Sequence, residues 1–443
     1  MRRGLLALAA LTGTWAAPGA LPAQQEAQRC KLRLVHADQG YGLGTDNYFA
    51  SGDVRLQCEG TTVTIRSDSL ASYGSQIVEF IGHVRYADSS MVMTADRGTY
   101  RRDGERWEAR GNVVTRSTAG STLRGPSLDY FRVLPGQREV AEVYAVGRPT
   151  IDYVPKDSTG RPQEAYVIVG DRVRMLGDDR LWAGGRVTVD RSDLAASADS
   201  MRLDTGKGQD GALVGSALIR GIGKDSFSLA GRRIDLRLEE SELTYVQADG
   251  AARATSADWV LTADTVALDV NDRVLEQTLA WGKGTRPHAV SAEYEILADS
   301  LALDTPAKVL TEARAFTTAW VATGKDTTGA ERDWLRGDTV TAQFARSDSS
   351  GGSRTVLRRV ESRSAASSFY QVKNPGRPDT PSLNYARGER IVVLMRADST
   401  GGVDRVDIAG KVDGVQLEPA KVPPAPAPAD SAAKPDSLPA VKK

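Results

Sequence analysis

The sequence has few of the residues that metal sites and acid–base catalysis draw on. In 443 residues there are three histidines (His36, His83, His288) and two cysteines (Cys30, Cys58). No cysteine pair has the close spacing of a zinc knuckle, which argues against a structural zinc site. An excess of charge of one sign is missing too. Lys+Arg and Asp+Glu each number 57, so there is no net field to hold a polyanion, and nucleic acid is not an expected partner. Aromatic residues are 6% of the chain, and only seven are Trp, with Trp15 near the start; that is little material for the exposed platforms of a carbohydrate-binding surface. The rest, 26% charged and 40% hydrophobic, is a globular composition, not a collagen-like or charge-rich disordered one.

Long hydrophobic runs are scarce as well. The one at the start, Leu5 to Ala17 behind Arg2 and Arg3, has about thirteen residues where a spanning helix needs about 20. With Pro18, Pro22 and Ala23 before a polar stretch, it predicts a secretory signal over residues 1–23, cleaved near Ala23. Cys30 lies too far beyond the run to be a lipid attachment site. An exported chain meets an oxidising compartment, so Cys30 and Cys58 are expected to form a disulfide, closing a loop of about 28 residues worth about 3 kcal/mol. At the other end, residues 419–443 hold seven prolines among Ala, Lys, Asp and Ser, which predicts a disordered tail over 420–443.

What the sequence does contain is a repeat. A small residue, usually followed by Asp and then by apolar residues at alternate positions, begins at Ser67-Asp68, Ala95-Asp96, Gly125-Pro126, Gly170-Asp171, Ala198-Asp199, Gly231-Arg232, Ala263-Asp264, Ala298-Asp299, Gly337-Asp338 and Gly388-Glu389. Two and four positions after the second member, eighteen of the twenty residues in these ten copies are apolar or aromatic. Period two means strands with one buried face. Between them lie second strands that often open with Gly-x-Val: Gly52-Asp53-Val54, Gly82-His83-Val84, Gly111-Asn112-Val113 and Gly185-Arg186-Val187. One strand pair cannot bury its own apolar face. Stacking ten predicts an all-β fold of about twenty strands in two facing antiparallel sheets.

Motifs for chemistry do not survive inspection. Gly206 to Gly211 matches G-x-G-x-x-G, but it sits between two strand patterns with no helix behind it and reads as a turn. The repeated aspartates stand one per unit with apolar residues between, unlike calcium loops or paired catalytic carboxylates, and read as solvated groups at strand starts. No Gly-x-Ser-x-Gly elbow occurs, so no catalytic residue, cofactor or enzyme activity is expected.

The recurrent Ala-Asp-x-apolar strands (Ala95-Asp96, Ala263-Asp264, Ala298-Asp299) and the Gly-x-Val strands resemble the OstA-like or LptA-like bridge proteins of lipopolysaccharide transport. So do Gly147-Arg148-Pro149 leading through Tyr153 to Gly160-Arg161-Pro162, and, near the end, Pro375 to Pro378, Asn384-Tyr385 and Gly414 to Pro419. The resemblance covers residues 30 to 419 and extends to the N-terminal periplasmic domain of the outer-membrane translocon. It implies a twisted, V-shaped β-jellyroll in the periplasm whose apolar groove shields the acyl chains of lipopolysaccharide or another acylated lipid. Implied partners are other jellyroll proteins of the bridge and the translocon; separately, the unpaired strand edges at the first and last units of the stack predict head-to-tail self-association. The groove candidates are Leu128, Val173, Met175, Met201, Leu203, Ile234, Leu236, Val266, Leu268, Leu301, Leu303, Val340, Ile391 and Val393. Alternation along a strand places Ala267 on the face opposite Leu268. Periodicity by itself does not separate an open groove from a filled core, so a structural or carbohydrate-binding exported β-repeat protein is the alternative.

Overall fold

The computed structural model describes residues 29–74, 76–157, 159–222, 227–239, 242–256, 259–271, 274–323, 332–349, 352–374, 377–396 and 403–419. The expected signal over 1–23 and tail over 420–443 lie outside the described residues. The described strands number twenty-eight, so the all-β expectation holds. Up to Gly250 they are β1 (Leu32–His36), β2 (Gln39–Leu43), β3 (Asn47–Cys58), β4 (Thr64–Tyr73), β5 (Ile77–Ala87), β6 (Met91–Arg101), β7 (Arg106–Ser117), β8 (Thr122–Phe131), β9 (Glu142–Val146), β10 (Thr150–Tyr153), β11 (Tyr166–Val169), β12 (Arg172–Leu176), β13 (Arg180–Asp190), β14 (Leu194–Asp204), β15 (Asp210–Gly221), β16 (Ser228–Glu239) and β17 (Glu242–Thr255), which runs past it. Then come β18 (Val260–Asn271), β19 (Val274–Trp281), β20 (His288–Val290), β21 (Tyr294–Leu297), β22 (Ser300–Asp304), β23 (Glu312–Thr323), β24 (Trp334–Ser349), β25 (Gly352–Asn374), β26 (Arg377–Met395), β27 (Val403–Ala409) and β28 (Asp413–Leu417). The chain divides into two compact units, one ending at Gly250 and one beginning at Ala251.

The two sequence repeats are the two sides of one structural device. In each ladder the register slips where a pair of residues faces a single one: Gly52-Asp53 faces Asp68, Gly82-His83 faces Asp96, Gly111-Asn112 faces Pro126, and Gly185-Arg186 faces Asp199. This is a β-bulge, which bends both strands. Gly-x therefore lies in the middle of a strand and marks its bend instead of opening a new strand. The pair takes left-handed backbone angles, φ 77° and 46° at Gly82-His83, which glycine adopts without cost. The second unit uses Thr317-Thr318 and Ser364-Ala365 at the same place, with all four φ values positive.

Each long strand thus contributes half its length to each of two walls. In the first unit wall A is formed by β2, one half each of β3 to β8, β9, β12 and one half each of β13 to β16. Wall B is formed by β1, the other halves, β10 and β11. The second unit repeats the scheme with walls of its own: β19, β22 and β27 form its wall A, β20, β21 and β28 its wall B, and β18 and β23 to β26 are shared between them. Within a unit, wall A holds the residues that follow the small-Asp pair and wall B those that precede it.

Burial explains the repeat. The residue three before the second member is buried in all ten copies: Ile65, Met93, Leu123, Ile168, Ala196, Leu229, Leu261, Ile296, Leu335 and Ala386. These point inward from wall B. The small residue sits where the walls meet and has no room to grow: a Cβ on Gly388 would come 2.8 Å from Ile408 Cγ2, and one on Gly125 3.2 Å from Pro149 Cβ. The aspartates are corner clamps: Asp68, Asp96 and Asp264 lie in mid-strand instead of at a strand start, while Asp171 directly precedes β12. Asp68 meets the His83 ring Nδ1 at 2.8 Å, Asp96 accepts from Asn112, Asp264 accepts the backbone N–H of Gly284 and Thr285, and Asp171 pairs with Arg186 at 2.8 Å and Arg148 at 3.2 Å. Hydrogen bonding from Arg186 holds the Asp171 carboxyl below its ordinary pKa, and that from Asp68 raises the pKa of His83. An eleventh copy, Ala37-Asp38, turns β1 into β2, where Asp38 N–H donates to Gly52 O. Gly40 and Gly42 stand at its apolar positions, which hides it in the sequence.

Candidate functional site

All fourteen groove candidates lie on wall A. Those two places past the corner pair, Leu128, Val173, Met201, Ile234, Val266, Leu301, Val340 and Ile391, are buried. Of those four places past it, Met175, Leu203, Leu236, Leu303 and Val393 are half-buried, and Leu268 is buried. The gradient follows from two walls that meet at the corner: the first row packs directly against wall B, and the second stands further from it. Ala267 does not separate from Leu268 as alternation suggests. Both faces of β18 are covered from Thr265 to Leu268, and Ala267 is 1% exposed.

The second row decides whether the interior is filled. In the first unit it reads Val78, Tyr100, Trp107, Tyr130 across β5 to β8. These side chains span the interior: Tyr86 of wall B lies 5.1 Å from Trp107 and 5.9 Å from Tyr130 between ring centroids, and Phe80 lies 5.2 Å from Trp107. The rims of the two walls are tied as well. Buried Glu105 of wall A accepts a hydrogen bond from the backbone N–H of Cys30, at the foot of wall B, at 2.6 Å, and pairs with Arg132 at 2.8 Å. Cys30 is itself joined to Cys58, with 5.3 Å between their Cα atoms. Tyr130 of wall A donates to Asp88 of wall B, and Tyr153 of wall B meets Thr205 of wall A at 2.7 Å. Burial pushes the pKa of the Tyr86 and Tyr130 hydroxyls up, so both stay neutral donors.

In the second unit the same row reads Ala342, Val360, Val393, Val406 across β24 to β27. Small side chains stand where the first unit has aromatic rings, and a cleft of about 820 Å³, measured to its open mouth, lies between the walls. Wall A lines it with that row and with Phe344, Leu357, Met395 and Val403 nearer the rim. Wall B supplies Ile296, Val321, Leu335 and Ser368, with Tyr294 and Tyr370 beside them. Room for the centre of a water-sized sphere is about 110 Å³, below the about 300–1,000 Å³ of pockets that enclose a drug-sized molecule, so the cleft suits a narrow chain. Of the fourteen candidates Val393 lines this cleft; the other lining residues were outside the sequence expectation. Burial pushes the pKa of the Tyr294 hydroxyl up, so it is uncharged at neutral pH, and the one acidic lining group, Asp333, accepts the backbone N–H of Gln371 at 2.9 Å. Such a surface favours apolar matter.

Behind the cleft, on the outer face of wall A, Glu361 lies among Arg359, Arg363 and Arg390, each 2.6 Å away. Hydrogen bonding from Arg390, with Arg363 adding to it, lowers its pKa to about 2. Among the described residues no group of three or more His, Cys, Asp or Glu is placed to hold a metal ion. Gly206 to Gly211 forms the connection of β14 to β15 and the start of β15. Compared with known proteins, the chain matches no family model and no curated protein.

Proposed function

We propose that this is a non-enzymatic periplasmic lipid-transfer protein of lipopolysaccharide export, related to the OstA-like or LptA-like family, that shields acyl chains in the cleft of its second unit. The observation that carries the reading is the cleft itself, an apolar space between two sheets kept open by small residues where the first unit places rings. Its affinity would accumulate at about 0.8 kcal/mol per buried methylene. Edge strands support docking onto similar folds. β2 and β28 are exposed along their whole lengths and carry Tyr41, Leu43, Val415 and Leu417 outward, and an edge strand offers unpaired backbone groups to another sheet.

The test is mass spectrometry of an organic extract of the purified exported protein, joined to photo-crosslinking from Leu357 in the cleft and from Arg359, which pairs with Glu361 on the outer face. Acyl lipid in the extract and crosslinked only from Leu357 is the expected result. A lipid-free extract together with equal labelling from the two positions would defeat the reading. The ring-filled interior of the first unit favours a second reading, a structural β-repeat protein, which predicts that lipid-free outcome.

A further inference from the structure

One polar atom inside the cleft has no partner. Ser368 on β25 is 3% exposed and lines the cleft, and its hydroxyl finds no hydrogen bond among the described residues. It stands in a wall B row between Leu335 and Ala386, and Ile296, Val321 and Leu335 of that row are apolar and face the same space. The other buried serines of this unit are satisfied by the protein: Ser362 donates to Arg336 O at 2.6 Å, and Ser382 bonds Glu418 at 3.2 Å. Thr115 and Ser117, whose hydroxyls are also without partners, lie on β7 of the first unit and do not line the cleft. A buried hydroxyl with no partner is costly, and alanine would fill the same place without that cost.

We propose that Ser368 is a specificity-determining residue, donating a hydrogen bond to an oxygen that the ligand carries within its buried chain. The preferred ligand is then an oxygenated acyl chain and not a plain one. This rests on the lipid-binding reading above.

The experiment is displacement of a fluorescent fatty acid from the full exported chain. The competitors are octadecanoic acid and the same chain with a hydroxyl at carbon 3, 10 or 12. At least one hydroxylated chain should compete about three- to tenfold better than the plain one, the value of a single net hydrogen bond. Ser368→Ala should erase that preference, and Ser368→Thr, which keeps a hydroxyl, should retain it. Equal competition by all chains in the wild type overturns the inference and leaves lipid binding standing, as does a preference that persists in Ser368→Ala. If the probe does not bind at all, the lipid-binding reading falls and takes this inference with it.

Discussion

The two units are each built on the same kind of corner and differ in what lies between their walls. In the first, the row four places past the corner carries Tyr100, Trp107 and Tyr130, and hydrogen bonds tie the rims. In the second the row carries Ala342, Val360, Val393 and Val406, and a cleft remains. One scaffold thus gives a packed core or a binding space according to side-chain volume at a single row. Backbone plan fixes where a cavity can be, and volume fixes whether it exists.

The largest effect that could break this comparison is truncation of a filler. Trp107 is 1% exposed and touches both walls, so Trp107→Ala should cost about 3–5 kcal/mol in urea denaturation. Leu357→Ala, at a half-buried cleft position, should cost about 1 kcal/mol and act instead on lipid retention. Equal stability losses at the two sites would mean that the second unit is packed like the first.

The disulfide is next. It closes a loop spanning a sequence separation of 28, and it anchors the Cys30 backbone that Glu105 holds. Cys58→Ser should lower stability by about 3 kcal/mol. Hydrogen exchange should quicken in β1, in β3 and around Glu105 while the second unit stays unchanged. Loss of protection in both units would show that they do not behave as separate bodies.

A smaller effect should be common to the two. Ala95 and Ala263 occupy the inner side of the corner and are 7% and 0% exposed. Ala95→Leu and Ala263→Leu should each cost about 1–3 kcal/mol through overpacking, because there the walls leave no space in either unit. A tolerated Ala263→Leu would mean that the cleft reaches down to the corner.

How much of this was legible in the sequence depends on which distance along the chain carries the signal. Strand class and wall A follow from local alternation, whereas the corner does not: the small-Asp pair reads as the start of a strand, and the bend it marks is visible in the structure alone. Wall B was missed although its signal is as regular, because reading began at the small residue: Ile65, Met93 and Leu123 stand before the pair and belong to the same strands. The cleft was missed for another reason. Alternation sorts residues as apolar or polar, and Tyr130 and Ala342 are equal on that scale while differing by a ring in volume. Ser368 lies on a Gly-x type strand whose corner, Ser364-Ala365, has no glycine, so nothing in the pattern marked its register.

The smallest effect lies on the outer faces, where the units are alike. Asp129 is paired with Arg106 and Arg110 in the first, and Glu361 with Arg359, Arg363 and Arg390 in the second. The Glu361 carboxyl has a pKa of about 2 in the folded chain, below its ordinary value near 4.5. A depressed folded pKa stabilises the protein above the unfolded pKa, and the contribution is lost as pH falls from about 4.5 through about 2. With the arginine partners partly exposed and screened by solvent, the contribution should be about 1 kcal/mol. Glu361→Gln should therefore be less stable than the wild type at pH 7, and the gap should narrow as urea midpoints are followed down to pH 3. Lipid retention should not change, since the carboxylate faces away from the cleft. A gap that stays constant with pH would assign the loss to packing, and a loss of bound lipid would mean that the outer face of wall A is coupled to the space behind it.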